Sequence, residues 1–471
     1  MPRIAAVDER FQSYNVEMVE VTGGRFWRPY GPQPSPMQSD QELYADIPPI
    51  DLANARLRKL TAALAPAYMR VSGTWANSTS FADSDAAPSE PAAGFTSVLT
   101  RARWRDVIDF ARAVGARIVT PFAVSAGVRD RAGVWTTDHA RSLLVDTRSQ
   151  HASIAAVEFM NEPNLAAQNG APVGYDAKAY ARDFRIFRAL IRESSPETLI
   201  VGPGSTGETS SSPASAMGTT GLFAAGARGV DVFSYHHYAT LSLRCGGRDT
   251  PEQMLSDEWL SRTERAFAFY RTLRDRFEPN KPLWLTETAD AACGGNPWDA
   301  TFADTFRYLD QLGRLARAGV QVVMHNTLSG SDYGLLDEKT FDPRPDYWAA
   351  LLWHELMGRT VLDPDVPSQP QLHVYAHCHQ QVRGGVSLLV INTSRTAPHA
   401  IGLPIASERY TLHASDLQSK TVDLNGKTLA LGDNDALPSI AGMPTSAGVV
   451  TFEPTTLTFL AIPKAANRAC R

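Results

Sequence analysis

The sequence predicts an α/β protein: a (β/α)8 TIM barrel over residues 13–358, followed by an antiparallel β-sandwich over residues 359–471. Three observations carry this. Eight short apolar runs alternate with amphipathic helical segments as far as about residue 358, the rhythm of a parallel sheet with helical crossovers. Beyond residue 360 the strand-like runs continue without helices between them. The first strand also lacks the Gly-rich phosphate turn of an open, doubly wound sheet: Gly23-Gly24 is there, but Arg25-Phe26-Trp27 breaks the spacing.

The eight barrel strands are read at Tyr14 to Val21, Ala67 to Val71, Arg117 to Phe122, Ile154 to Met160, Leu199 to Val201, Val230 to Tyr235, Pro282 to Thr286 and Val320 to His325. Near-continuous apolar runs of this length suit strands buried on both faces. Spacings of three and four place Leu57, Leu60 and Leu64 on one helical face, as they do Tyr180, Phe184, Phe187 and Ile191, and Phe302, Phe306 and Leu309. Sandwich strands are expected at Leu372 to Ala376, Val386 to Ile391, Tyr410 to His413, Val449 to Phe452 and Leu457 to Ile462, with a hairpin turn at Asn425-Gly426. Residues 1–12 are placed to add an edge strand to the sandwich. The stretches Pro29 to Pro36 and Asp83 to Ala93 read as surface loops.

Composition narrows the function. The 471 residues carry Lys+Arg 45 against Asp+Glu 50, a net charge of −5. That speaks against a nucleic-acid partner or an anionic membrane surface, both of which need clustered basic charge. No apolar run approaches the ~18 residues of a membrane span. Asp8 and Glu9 interrupt any signal-like core in the first twenty residues.

Barrel enzymes place their chemistry at the C-terminal ends of the strands. Strand four ends in Glu158-Phe159-Met160-Asn161-Glu162-Pro163-Asn164, and strand seven in Trp284-Leu285-Thr286-Glu287-Thr288. Two carboxyls, Glu162 and Glu287, therefore reach one barrel mouth from roughly opposite sides. Such a pair is the apparatus of glycosidic bond cleavage, one protonated as acid and one ionised as nucleophile. A lone Asn-Glu-Pro tripeptide would be an ordinary surface loop; the second Glu three strands later is what makes it a site.

These residues resemble a clan of retaining glycosidases with the acid on strand four and the nucleophile on strand seven. A longer match narrows the resemblance to the heparanase and β-glucuronidase family. It runs through Arg70 with Gly73-Thr74, Asn161-Glu162-Pro163-Asn164, His236-His237-Tyr238, Glu287-Thr288, Gly294-Gly295, Asp304-Thr305-Phe306, Val322-Val323-Met324, Tyr333, Asp337-Glu338, Phe341-Asp342-Pro343 and Pro345-Asp346-Tyr347-Trp348. The resemblance implies a barrel with a β-rich tail, retention of configuration and a uronic acid in the subsite where cleavage occurs. It makes Glu162 the acid/base and Glu287 the nucleophile. It gives Asn161 the contact to the sugar 2-hydroxyl, places Tyr238 beside the nucleophile and puts His236 near the sugar. Gly294 and Gly295 become backbone donors, and Tyr333 a hydroxyl donor, to the uronate carboxylate. Glu17 ends the first strand region, where animal members carry a different acidic and amide pair, and is expected on the non-reducing side.

Four cysteines are too few for a disulfide scaffold and lack zinc-type spacing. The resemblance implies a Cys378–Cys470 bridge across the tail. Cys245 and Cys293 lie after neighbouring strands, and the sequence leaves their pairing open. His373, His377 and His379 lie in a strand-like run with no second ligand pair, so no metal and no cofactor is expected. Two departures from the animal heparanases matter. The excised internal linker of those enzymes has no counterpart near residues 75 to 100, so this chain is expected to work as one piece, and Leu165-Ala166-Ala167-Gln168 replaces lysines that come after the acid. Arg244 and Arg248 suit sulfate or carboxylate contacts at an adjoining subsite. The expectation is a monomeric, secreted or periplasmic endo-β-glucuronidase acting on a glycosaminoglycan or glucuronide oligosaccharide such as heparan sulfate; an exo-acting β-glucuronidase and a non-catalytic carbohydrate-binding barrel are the alternatives.

Overall fold

A computed structural model describes every residue except 32–38, 87, 89 and 211–214. The end of the Pro29 to Pro36 stretch and parts of the Asp83 to Ala93 stretch, both read as loops, thus lie outside the described residues. Among the described residues, eight parallel strands close into a barrel: Gln12–Glu17, Ala67–Ser72, Ala116–Pro121, Ile154–Glu158, Leu199–Ser205, Val232–Leu241, Leu283–Ala292 and Val322–His325. The last pairs with the first through Val323 with Gln12 and His325 with Tyr14. Tyr68, Val119, Ala156, Val201, Val232, Trp284, Val322 and Met324 fill the inside as a separate apolar cluster. The interior is a packed core, so a substrate can enter only at the mouth.

Two differences from the expected strands bear on function. The first strand stops at Glu17, and Met18–Thr22 is a short helix. A short apolar run such as Met18-Val19-Glu20-Val21 fits either state. Here Glu20 Oε2 accepts the Glu17 backbone N–H at 2.7 Å, and this reciprocal cap turns the chain into a helix. Strands six and seven run well past the expected ends and stay paired to Leu241 and Ala292. Just beyond, Cys245 and Cys293 form a disulfide.

Among the described residues, eight strands from Met357 onward and one from the N-terminal segment form one antiparallel sheet, and His399–Leu403 with Gly448–Phe452 forms a small second one. The edge of the large sheet is Arg3–Ala6, paired antiparallel with Met357–Leu362. The expected hairpin is present, with Asp423 opposite Thr428 and Leu424 opposite Lys427. Alternation sorts the strand Val386–Asn392 into two faces. Leu388 and Val390 pack outward with Ile401, Leu403, Val450 and Phe452, whereas Leu389 and Ile391 join the core shared with the barrel helices.

The sheet rests on the helix Phe302–Arg317. A Cβ on Gly313 would lie 2.4 Å from the Tyr375 ring, so the close approach requires glycine. Beside it Asp310 gathers His373 Nδ1 at 2.5 Å, the Tyr375 hydroxyl at 2.5 Å and Arg314 Nε at 2.5 Å, while His373 Nε2 meets Asp257 at 2.9 Å. His377 Nδ1 meets the Gly358 carbonyl at 2.6 Å. His373 thus ties the sheet to the helix beneath it, and His377 ties two neighbouring strands of the sheet.

This packing has two measurable effects on stability. Burial works against a charged His373, but Asp310 outweighs it and raises the His373 pKa above its ordinary value. The stability that His373 adds is full below the unfolded-state pKa and is lost as pH rises through the raised folded value. As pH rises from the ordinary histidine value of about 6.5, the Tm of the wild type should therefore fall more steeply than that of His373→Gln; parallel profiles would refute the coupling. The Cys378–Cys470 disulfide closes a span of 92 residues. Replacing both cysteines by Ser should cost about 2–4 kcal/mol in denaturant unfolding.

Candidate active site

Glu162 occupies the turn after strand four with φ of +47°, a left-handed conformation unfavourable for a non-glycine residue. Such strain, about 1–3 kcal/mol, persists only where the surroundings impose it. Asn77 imposes it. Its Oδ1 accepts the Asn161 N–H at 2.9 Å, and its Nδ2 donates to the Asn161 carbonyl at 3.0 Å and to the Asn169 carbonyl at 2.9 Å. Asn169 Nδ2 in turn reaches Glu162 Oε2 at 3.4 Å.

Glu287 lies within the extended strand seven, opposite His236 in strand six. Its Oε2 accepts Arg70 Nη1 at 2.9 Å, and its Oε1 accepts the Tyr238 hydroxyl at 2.7 Å. Arg70 rises from strand two and is 1 % exposed. Its Nε donates to Glu158 at 2.9 Å, and its Nη2 donates to Asn161 Oδ1 at 2.7 Å and faces His236 Nε2 at 3.3 Å. Since a guanidinium only donates, that His236 nitrogen accepts and the ring proton sits on Nδ1. Nδ1 lies 3.2 Å from Glu162 Oε1 and 3.6 Å from Glu287 Oε2. One ligand-capable atom from each of Glu162, His236 and Glu287 falls within 4.8 Å of the others. A cation could be held by such a trio, but Arg70 already supplies the positive charge at Glu287.

Glu287 and Glu17 differ in their surroundings. Burial pushes the Glu287 pKa up, but attraction to the His236 ring and to Arg70, with hydrogen bonds from Tyr238 and Arg70, brings it below its ordinary value. Glu17 goes the other way: burial, then repulsion from Glu287, raises it well above the carboxylate range despite a hydrogen bond from Asn326. Glu20 is pushed up to about 8, chiefly by burial. The site thus favours negative charge on Glu287 and disfavours it on Glu17.

Asn161, His236, Tyr238, Tyr333 and Glu17 converge at the same mouth as the two carboxyls. Asn326 joins them, its Nδ2 reaching Glu17 Oε1 at 3.2 Å and the hydroxyls of Tyr238 at 3.0 Å and Tyr333 at 3.1 Å. Gly294 and Gly295 have φ of +80° and +84°. A Cβ on Gly294 would lie 2.6 Å from Trp27 Cγ. On Gly73 it would fall 1.5 Å from Glu17 Oε2, so glycine is what admits that carboxyl to the mouth.

Arg244 is not where the sequence reading puts it. Its side chain is buried, paired with Asp332, bonded to the Arg28 carbonyl at 2.6 Å and stacked on Tyr30 at 4.1 Å. It clamps one loop to another and offers no charge to a substrate, because its guanidinium is already enclosed. Sequence reasoning also missed Glu158, Asn77, Asn169 and Asn326 as supports, and it missed a hairpin after strand one. That hairpin, Gly24–Trp27 with Tyr44–Ile47, walls the mouth with Trp27 and Tyr44. The mouth opens into a cleft of about 1110 Å³, whose lining includes Asn164, Gln168, Thr206, Trp27, Tyr44 and Trp75.

Comparison with known proteins agrees with this geometry. The model of glycosyl hydrolase family 79, N-terminal domain, matches residues 41–313, which hold Arg70, Glu162, His236 and Glu287. Heparanase of Bos taurus is 30% identical over 379 residues, covering 77% of this chain and 67% of that protein. Heparanase-like protein 1 of Arabidopsis thaliana is 29% identical over 423 residues, covering 78% and 75%. Among solved structures, a 4-O-α-L-rhamnosyl-β-D-glucuronidase from Fusarium oxysporum 12S superposes with a TM-score of 0.67 at 14% identity, covering 98% of this chain and 97% of that one; this likeness speaks to the fold. The chain belongs to glycosyl hydrolase family 79 and is a heparanase-like glycoside hydrolase.

Proposed function

We propose that this protein is a retaining endo-β-glucuronidase that cleaves internal glucuronide linkages of heparan sulfate-like polysaccharides. The observation that carries the reading is the approach of Glu162 and Glu287, whose carboxylate oxygens come within 4.8 Å. Retaining enzymes hold their carboxyls ~5–5.5 Å apart, whereas inverting ones need ~6.5–9.5 Å to admit a water.

In this mechanism Glu287, ionised and aimed by Arg70 and Tyr238, attacks the anomeric carbon. Glu162 protonates the departing glycosidic oxygen, and the leaving saccharide exits on the Asn164 and Gln168 side. Glu162 then takes a proton from water, which hydrolyses the glycosyl–Glu287 ester. Asn161 is held by Arg70 and Asn77 where it can meet the 2-hydroxyl. Gly294, Gly295 and Tyr333 are the candidates to bind the uronate carboxylate with neutral donors. Endo action is supported by a cleft of about 1110 Å³, roomy enough for more than one sugar ring. A secreted or periplasmic home is supported by two disulfides, and no helix among the described residues is long and apolar enough to cross a membrane.

A 2-fluoro glucuronide should label Glu287, and mass spectrometry placing the adduct elsewhere would reject the nucleophile. Glu162→Gln should lose about 10²–10⁴-fold on oligosaccharides but keep the first step with activated aryl glucuronides. On heparan sulfate, polymer size should drop before free glucuronic acid appears; monosaccharide released from polymer of unchanged length would make the enzyme exo-acting.

Arg70→Met should act through Glu287. With the guanidinium gone, burial dominates and the Glu287 pKa rises. The acidic limb of the kcat/KM profile should then move to higher pH, with Arg70→Lys shifted less. A loss of rate with the limb unmoved would mean that Arg70 only holds the fold.

A further inference from the structure

Strands six and seven stay paired only as far as Leu241 and Ala292. Cys293, Gly294 and Gly295 come next, beyond the last ladder pair. All three are left-handed, with φ of +64°, +80° and +84°. The glycines adopt this backbone freely, whereas Cys293 does not. A non-glycine residue keeps such a conformation only where its surroundings impose it. A pair of donors past the end of a sheet also needs support, because it can fix a ligand only if it is itself fixed.

One helical turn, Leu243–Cys245, supplies that support with each of its residues. The Leu243 N–H donates to Asn296 Oδ1 at 2.9 Å, just after the glycines. Arg244 pairs with Asp332, whose own N–H donates to the Gly294 carbonyl at 3.1 Å. Cys245 is bonded to Cys293, just before the glycines. The preceding Ser242 donates its hydroxyl to the Cys293 carbonyl at 3.2 Å and its N–H to the Ala292 carbonyl at 3.1 Å. Ties therefore reach the chain on both sides of the glycine pair, and one ends on Gly294 itself.

These side chains are spent on one another. The Arg244 guanidinium is enclosed by Asp332, the Arg28 carbonyl and Tyr30. The two sulfurs are joined, and Asn296 is buried. Any effect they have on a substrate must pass through the turn they hold.

We propose that the Leu243–Cys245 turn is the positioning device of the uronate subsite: its covalent and polar ties set Gly294 and Gly295 where their N–H groups can meet a carboxylate. The proposal rests on the glucuronidase reading and adds what gives the glycine donors a fixed place. Donors without a full positive charge depend on that place, since a hydrogen bond weakens steeply as its distance and angle drift. Loosening the ties should cost recognition of the carboxylate. It should spare Glu287 and Glu162, which Arg70, Tyr238 and Asn77 hold from other elements.

The test compares the full-length wild type with two variants, Cys245→Ser combined with Cys293→Ser, and Asn296→Ala. A control, Cys378→Ser combined with Cys470→Ser, opens the bridge in the tail instead. The substrates are 4-nitrophenyl β-glucuronide and 4-nitrophenyl β-glucoside, which differ only at carbon 6. In both variants the KM for the glucuronide should rise at least fivefold with kcat held within threefold, the mark of lost binding rather than lost chemistry. The preference for glucuronide over glucoside, as a ratio of kcat/KM values, should fall at least fivefold. The control should keep both quantities within twofold of the wild type. Folded variants, judged by near-UV circular dichroism, that keep the wild-type KM and preference would overturn the proposal and leave the glucuronidase reading intact. So would a loss equal on both glycosides, a loss confined to kcat, or a control that changes as much as the variants do. A wild type that hydrolyses neither glycoside, or favours the glucoside, would overturn the glucuronidase reading and the proposal with it.

Discussion

The active site depends on one buried cation. Arg70 carries its charge to the floor of the barrel mouth, where water cannot screen it, and directs each side of its fork to a different strand: Glu158 and Asn161 from strand four, His236 from strand six, Glu287 from strand seven. Enclosing a guanidinium is costly unless its donors are all met by well-placed acceptors. That requirement fixes where the carboxyls lie and which tautomer His236 adopts. It also separates two neighbouring carboxyls: the His236 ring and Arg70 bring Glu287 below its ordinary pKa, whereas burial and repulsion from Glu287 raise that of Glu17.

The architecture and the two central carboxyls were legible in the sequence because they obey local rules. Buried parallel strands announce themselves as apolar runs, and the barrel brings the residues after each strand to its mouth. The supporting shell was not legible in that way. Asn77 and Asn161 are 84 residues apart in sequence, and nothing near Asn77 marks it as the clamp that holds Glu162 in a strained turn. Asn326, just past the last strand, reads as an ordinary amide. Arg244 failed for the converse reason: an arginine in a polar loop looks solvent-facing until Tyr30 and Asp332, distant in the chain, close over it. The wall formed by Trp27 and Tyr44 escaped notice because the two halves of its hairpin are separated by a Pro/Ser-rich stretch that hides their pairing.

The β-rich tail is bound to the barrel by more than apolar contact. One face of its large sheet shares a core with the barrel helices, and a polar seam centred on Asp310 runs beside it. The helix that carries Asp310 comes directly after strand seven, so the seam steadies the element behind the nucleophile strand. Sheet and barrel are therefore mechanically one piece, although their sequences read as two.

The edge strand Arg3–Ala6 has a consequence in time. Its partner, Met357–Leu362, is about 350 residues further on, and the first barrel strand likewise waits for Val322–His325 to close the ring. At ~5–20 residues per second of synthesis, the N-terminal segment remains unpaired for about 20–70 s while most of the chain emerges. The opening residues must therefore stay soluble as a lone strand, a demand that Arg3, Asp8, Glu9 and Arg10 meet by flanking the short apolar stretch with charge.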